Sequence, residues 1–339
     1  MATIYDVARE AGVSISSVSN ALHGKNKVSE KTREKIEQAI EKLGYSVDPA
    51  ASSLKSNSSK VIGFIVPSID SAFFPAVISG LQGVLEKNGY IINFYSTNFS
   101  AAMEQKYVRT LIDSRVDGII IDSVSTNERF LSALSDLYCR SKPVPVIAIE
   151  RDLTEYNLTS VFSDNNKGGR MAAEHLLSSG VKRAAHIFGK HEAPWSVDRL
   201  NGFREIYKDA GIEIPYWRIA DGDFTLQGGR DAANKLMDNG KFDGIFASND
   251  LSAAGAMQSL KAAGKRVPED IKQIGFDNTY VTSLTTPTIS TIEMPKYELG
   301  EQAGEAVLRA IRSEQKPEIE QIELPLNLVI RESSTKSSI

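Results

Sequence analysis

One cysteine in 339 residues, Cys139, rules out an internal disulfide, so the chain must hold its fold by packing alone. No apolar run nears the roughly 20 residues that a membrane-spanning helix needs, and no charged-then-apolar leader opens the chain, so a cytoplasmic protein without a membrane partner is expected. Histidine is scarce as well: His23, His175, His186 and His191 share no metal-ligand spacing with one another or with Cys139. There is no Gly-x-Gly-x-x-Gly after a strand, and Gly189-Lys190 lacks the upstream glycine of a phosphate loop. These absences set aside metal and nucleotide-cofactor chemistry; no cofactor and no catalytic residue are expected.

The chain opens on a dense amphipathic pattern. Thr3 to Leu22 reads TIYDVAREAGVSISSVSNAL, two short segments joined at Ala11-Gly12-Val13. Val7, Ala8 and Ala11 on the first segment, and Val18, Ala21 and Leu22 on the second, recur three or four residues apart. Each segment therefore carries one apolar stripe, and the stripes can pack together. Thr3 with Asp6 is a capping start, Asp6 suiting the positive end of the helix dipole, and Ser14 can cap the second helix. That leaves Ile15, Ser16, Ser17 and Asn20 on the early, outward part of the second helix, where a recognition helix meets base edges in the major groove. A third helix is expected from Ser29 through Ile36, Ala39, Ile40 and Leu43, stopping at Gly44. A helical bundle that packs on some other surface would carry the same stripes; the capped pair, the glycine turn and the linker that follows favour double-stranded DNA.

The net charge of −4 speaks against DNA binding only if it is read globally. Up to Lys60 there are nine basic and seven acidic residues, so this end carries about +2 and the remainder about −6. A mildly basic head on an acidic body suits a protein that touches DNA with one end.

From Lys60 the pattern changes to apolar runs alternating with longer amphipathic stretches. Lys60 to Val66 reads as a buried parallel strand, followed by a helix from about Phe74 to Lys87, a turn at Asn88-Gly89 and a strand from Tyr90 to Tyr95. The scheme recurs with Arg183 to Phe188, a helix over Arg199 to Asp209, a turn at Gly211 and a strand near Trp217-Arg218-Ile219. Two halves built of βαβ units in the same order imply two similar parallel-sheet subdomains.

The first segment resembles the headpiece of the lactose-repressor (LacI/GalR) family, whose members share T-[IL]-x-D-V-A-x-x-A-G-V-S-x-x-T-V-S-R-x-L. Lys31-Thr32-Arg33-Glu34-Lys35-Ile36 and Leu43-Gly44-Tyr45 follow the family pattern too, and the resemblance covers nearly the whole chain. It implies an all-α helix-turn-helix headpiece over 1–46, a hinge over 47–59, and a periplasmic-binding-protein-like α/β core over 60–339. Crossovers near Ser163, Thr291 and Pro325 would then divide the core into an N-subdomain (60–162 and 292–324) and a C-subdomain (163–291 and 325–335). The candidate DNA contacts are Thr3, Tyr5, Ser14, Ile15, Ser16, Ser17, Ser19 and Asn20, with Ala51 and Leu54 in the hinge. Where most members have Arg in V-S-R, this chain has Asn20, so a bidentate contact to guanine is not assumed; Asn can pair with adenine or reach a phosphate.

Ser46 to Ser59 is rich in serine and cannot bury enough surface to stay folded alone, although Asp48 is a good N-cap and Pro49 a good first helical residue. In the resembling family this segment becomes a helix on the operator, pairs with its twin, and wedges a leucine into the minor groove. Leu54 matches that leucine, and Ala51 would let two such helices approach. The bland alternative is a flexible tether with an incidental leucine.

Ligands of two-lobed α/β cores lie at strand carboxyl ends. Placement after strands selects Asp122, Ser123, Glu150 and Trp195. The resemblance adds Phe73 and Phe74, which match positions that stack on an effector ring, and Arg199, Phe224, Asn249 and Asp277. Flat apolar faces, carboxylates and one cation form a site for a sugar or sugar phosphate. Each has a plainer role open to it: Phe73 or Phe74 as core, Asp250 as a helix cap, Arg199 as a structural ion pair. Ala193 is small where purine-binding members place an arginine, and Trp195 replaces their small polar residue, which disfavours a purine.

Together these features point to a homodimeric repressor of carbohydrate-utilisation genes on a palindromic operator, switched by its effector. The tail from Arg331 has no leucine heptads, so no tetramer bundle is expected. Two rivals remain: a global carbon-catabolite regulator that uses a phosphorylated phosphocarrier protein as corepressor, and a sugar receptor that only binds, which would need an export signal.

Overall fold

The computed structural model describes residues 2–22, 28–45, 58–139 and 142–335. The chain divides into two compact units, Met1–Ser59 and Lys60–Ile339. Of the hinge expected over 47–59, residues 47–57, Ala51 and Leu54 among them, lie outside the described residues.

The first unit is a three-helix cluster: α1 (Ile4–Ala11), α2 (Ile15–Leu22) and α3 (Glu30–Leu43). Thr3 and Asp6 form the reciprocal capping box, the Asp6 carboxylate accepting from the Thr3 amide at 2.9 Å and from its hydroxyl at 2.7 Å. Those bonds hold the Asp6 carboxyl below its usual pKa. Gly12, at φ 66°, turns the chain left-handed and returns its amide to the carbonyls of Ala8 and Arg9, a conformation that glycine adopts without steric penalty. Ser14 caps α2 by accepting from the Ser17 amide at 3.1 Å. Val7, Ala8, Ala11, Val18, Ile36 and Ala39 meet at the centre, and the rest of the stripes legible in the sequence, Ala21, Leu22, Ile40 and Leu43, pack partly buried against them.

The second unit holds two six-stranded sheets. In the first, β1 (Val61–Val66), β2 (Ile91–Ser96), β3 (Gly118–Ile121), β4 (Val146–Ile149), β5 (Thr159–Phe162) and β11 (Gln321–Glu323) lie in the order β11-β5-β4-β3-β1-β2, all parallel. In the second, β6 (Ala184–Phe188), β7 (Ile219–Asp221), β8 (Gly244–Ala247), β9 (Lys272–Asp277), β10 (Ser290–Glu293) and β12 (Asn327–Val329) run β12-β10-β9-β8-β6-β7, with only the β10–β12 pair antiparallel. The shared order reproduces the repeat seen in the sequence. Near-continuous apolar runs such as VIGFIV suit it because helices cover both faces of a parallel sheet. Ile62, Phe64 and Val66 of β1 pack under α4 (Phe74–Leu85) and α11 (Lys296–Arg312), whereas Ile65 faces Leu111 of α5 (Ala101–Asp113) and Leu131 of α6 (Glu128–Ser135).

The chain leaves the first lobe after Phe162, returns after Glu293 and crosses again between Glu323 and Asn327. Helix α7 (Asn165–Ser178) packs on α8 (Pro194–Asp209), and α9 (Leu226–Asn239) on α10 (Asp250–Ala262). One strand differs from expectation. Tyr216–Arg218 is a 3₁₀ turn, closed by the Arg218 amide on the Pro215 carbonyl at 2.9 Å, and β7 begins only at Ile219. Proline fixes the turn, and Tyr216 is left 82% exposed despite its strand-like chemistry.

Candidate functional site

On the headpiece, Val18 points inward, and a helical step of 100° per residue puts Ser16 and Asn20 on the opposite face of α2. Ile15 and Ser16 are exposed and Asn20 is half-exposed. Tyr5, on α1, is 64% exposed, which burial does not explain. The hydroxyl of Ser14 lies 2.7 Å from that of Ser16 and 2.9 Å from that of Ser17, so the serines at the helix start hold one another in place. Thr3 is exposed but engaged with Asp6, and Ser19 is half-buried with an interaction of its own.

In the core, the carboxyl ends of both sheets open onto one cavity of about 410 Å³. Its wall takes Phe73, Phe74, Asn98, Phe99, Asp122 and Glu150 from the loops after β1 to β4, and Lys190, Trp195, Arg199, Phe224, Asn249 and Asp277 from beyond β6 to β9. Nine of the ten expected effector residues are thereby brought together. Ser123 is the exception: it is buried beside the cavity but does not line it, because its hydroxyl donates to Glu104, which also accepts from the Val124 amide at 3.1 Å. Side chains of adjacent residues leave a strand end in opposite directions, and Asp122 takes the inward one.

Arg199 is 2% exposed and anchors the floor. Its Nε donates to Asn165 Oδ1 at 2.8 Å and its Nη1 to the Ser248 carbonyl at 2.6 Å, and its guanidinium lies 3.7 Å from the centre of the Phe276 ring. Asp277 Oδ1 approaches Nη1 at 3.6 Å and Glu150 Oε2 approaches Nη2 at 3.8 Å. Arg199 is therefore an ion-pair residue and a cavity residue at once. Its backbone is set by close helix packing: a Cβ on Gly169 of α7 would stand 2.0 Å from the Arg199 carbonyl, so only glycine lets α8 come this near.

Burial pushes the Glu150 carboxyl up to about 7 and the Asp277 carboxyl to about 6, with Arg199 opposing both shifts. Asp122 is raised well above its ordinary value, by burial first and by Glu150 second. Two acceptors here have no partner among the described residues, Asp122 Oδ1 and Glu150 Oε1. A buried oxygen of that kind costs about 1–3 kcal/mol, so the site is set to receive hydrogen-bond donors.

Phe73 and Phe74, edge to face at 5.2 Å, belong to the core of the first lobe as well as to the wall. Asn249 lines the cavity with its amide already engaged: Oδ1 caps α10 through the Ser252 amide at 2.9 Å, and Nδ2 holds the Phe224 carbonyl at 2.9 Å. Asp250 is not the cap; it binds the Thr279 amide at 2.6 Å and the Thr291 hydroxyl at 2.7 Å. Sequence reasoning missed Asn98 and Phe99. The signal was the repeat itself, since Phe99 follows the second strand of its sheet as Phe224 does, and the two rings stack at 6.0 Å and 14°.

A capped helix-turn-helix followed by a two-lobed core whose strand ends share a charged, aromatic cavity defines the class: a DNA-binding transcriptional regulator on a periplasmic-binding-protein-like body. Residues 3–48 match the family described as bacterial regulatory proteins, lacI family, and residues 173–334 match the periplasmic binding protein-like domain. The chain is 33% identical to the ribose operon repressor of Halalkalibacterium halodurans, over 98% of this chain and 97% of that one. It is 32% identical to the transcriptional repressor PurR of Photobacterium profundum, over 98% of each. The solved complex of the transcriptional regulator CelR with cellobiose is 27% identical with a TM-score of 0.71, over 98% of this chain and 100% of that one. The chain belongs to the lacI family of bacterial regulatory proteins.

Proposed function

We propose that this regulator represses carbohydrate-utilisation genes as a homodimer on a palindromic operator and is switched by a small sugar-like effector in the cleft. The observation that carries this reading is the pairing of aromatic faces with buried, unpartnered carboxylate oxygens around Arg199. Flat rings meet the C–H face of a sugar while carboxylates accept from its hydroxyls. Relatives named for ribose and for PurR are equally similar, so overall identity does not choose between sugar and purine. What supports a sugar is that Ala193 is buried and small and packs in one cluster with Trp195.

In this reading 1–46 is the headpiece, 47–59 the hinge and 60–339 the effector and dimer core, working in the cytoplasm by binding rather than catalysis. Ser16 faces the base edges, and Asn20 pairs with adenine or reaches a phosphate. The effector favours one relative orientation of the two N-terminal halves in the dimer and thereby decides whether two hinge segments pair, a coupling of about 1–3 kcal/mol, roughly 5- to 150-fold in affinity. Leu54→Ala is expected to weaken operator binding about tenfold or more, as loss of a minor-groove wedge does, with effector affinity unchanged.

The test is fluorescence anisotropy on a palindrome with a central C-G step, at two salt concentrations, with and without a sugar panel. Salt-sensitive binding relieved by one sugar identifies an inducible repressor, and binding strengthened by one identifies corepression. Binding indifferent to every sugar would favour a phosphorylated phosphocarrier protein as the partner, and no binding to any palindrome would sink the reading.

A further inference from the structure

The cleft's charges discriminate among sugars. Its wall carries five carboxylates, Asp70, Asp122, Glu150, Asp223 and Asp277, against two cations, Lys190 and Arg199. Both cations are already engaged, so a phosphate would have to compete with a carboxylate for either. The Nε and Nη1 of Arg199 are bound to Asn165 and Ser248, its Nη2 faces Met294 Sδ at 3.6 Å and Glu150, and its flat face lies on Phe276. The bidentate fork that grips phosphate or carboxylate is thus turned into the protein. Lys190 pairs with Asp223 at 3.1 Å and lies over the Phe99 ring.

Helix amino ends, the other common seat for phosphate, are blunted here. One amide of α9, that of Gly228, and one of α10, that of Ser252, are taken by the side chains of Thr225 and Asn249, and α4 and α8 each lose one to a proline in the first turn. What the cleft does leave open are acceptors, Asp122 Oδ1 and Glu150 Oε1, both on residues at most 4% exposed and both from the first lobe.

Resting on the reading of the cleft as the effector site, we propose that the effector is an uncharged polyhydroxyl compound. It presents at least two hydroxyls to Asp122 and Glu150, and the site rejects phosphorylated and acidic forms of the same ring. An added phosphate would bring two negative charges into a buried site whose own acids are already driven toward protonation for want of counter-charge, and the only lining cations are held in ion pairs, a penalty that grows as the closed cleft lowers the local dielectric.

The experiment is isothermal titration calorimetry of the full chain against a panel of neutral aldoses, ketoses and disaccharides, each beside its phosphate ester and, for the aldoses, its uronic acid. Binding of a neutral member with its phosphate and uronate at least about 100-fold weaker supports the proposal, since a site that leaves charges unpaired rejects the wrong analogue strongly. In that case Asp122→Asn and Glu150→Gln should each weaken the neutral sugar about tenfold or more and narrow the gap to the phosphate, because a group that can ionise is replaced by an amide that cannot. A narrowed gap is an outcome that misfolding does not produce. A phosphate or uronate that binds as tightly as its neutral parent overturns the proposal and leaves the sugar-effector reading standing. No binding by any member overturns that reading, and the proposal falls with it.

Discussion

Phe99 and Phe224 occupy the same place in the two lobes. Each follows the second strand of its sheet, and each is the second of two consecutive left-handed residues, Asn98 and Phe99 at φ 50° and 58°, Asp223 and Phe224 at 53° and 59°. Non-glycine residues avoid this region at a cost of order 1–3 kcal/mol each, so the matched pairs mark one loop design used twice to present a ring to the cleft. The charges do not follow that symmetry. In the second lobe, Arg199 is tied to Asn165, Ser248 and Asp277, and Asp250 to Thr279 and Thr291. In the first lobe, Asp122 and Glu150 each keep an oxygen without a partner among the described residues. The second lobe engages most of its buried charges within itself, with Arg199 also reaching Glu150, and the first holds acceptors ready for a ligand that would tie the two together.

The strongest test of this asymmetry is to remove the charge that spans it. Arg199→Ala takes from Glu150 and Asp277 the cation that acts on them most, leaving only Lys296, and breaking a buried pair in this way costs about 3–5 kcal/mol. Urea unfolding of the core should show that loss together with loss of effector binding; an unchanged midpoint would mean that the guanidinium does not hold these carboxylates. Next in size is Gly169→Ala, whose methyl would meet the Arg199 carbonyl at 2.0 Å. Forcing α7 and α8 apart should cost about 1–3 kcal/mol, as overpacking does, and should shift effector affinity as well, because the Arg199 backbone moves with α8.

A double-mutant cycle of Phe99→Ala and Phe224→Ala is expected to yield a coupling of about 0.5–1.5 kcal/mol in thermal unfolding, the range for an aromatic pair. Strict additivity would show that the two loops do not support each other. The smallest effect concerns pH. Glu150 is buried with its pKa pushed up to about 7, above its ordinary 4.5. A carboxyl raised in the folded state favours folding fully at low pH and loses that contribution as pH rises through about 7, so its effect on stability declines between about pH 5 and pH 8. Glu150→Gln, neutral throughout, should therefore give a flatter curve of Tm against pH than the parent; parallel curves would indicate that Glu150 stays ionised across this range.

Much of the site was legible because position along a strand is a local property. Asp122, Glu150 and Asp277 each follow a buried apolar run, and the carboxyl end of a parallel strand in a two-lobed core delivers such residues to one cleft. Ser123 was misassigned for an equally local reason: alternation decides that neighbours point apart, but which of two adjacent polar residues takes the cleft depends on Glu104, 19 residues away. Phe99 went unread because the Asn98-Phe99 pair is short and irregular, and only its counterpart at Asp223-Phe224 gives it meaning.

By itself the sequence determined the capped helix pair at Thr3 and Ser14, the glycine turn between them, and two sheets of one strand order. All of these rest on periodicity, caps and turn residues within a few positions of one another. Tertiary structure alone decided which carboxylate oxygens stay without a partner, that Arg199 turns its donors toward Asn165 and Ser248, and that Phe99 meets Phe224 across the cleft. Those outcomes join residues 34 to 125 positions apart, and what sets them is the distance between side chains after the lobes have packed, which no local pattern encodes.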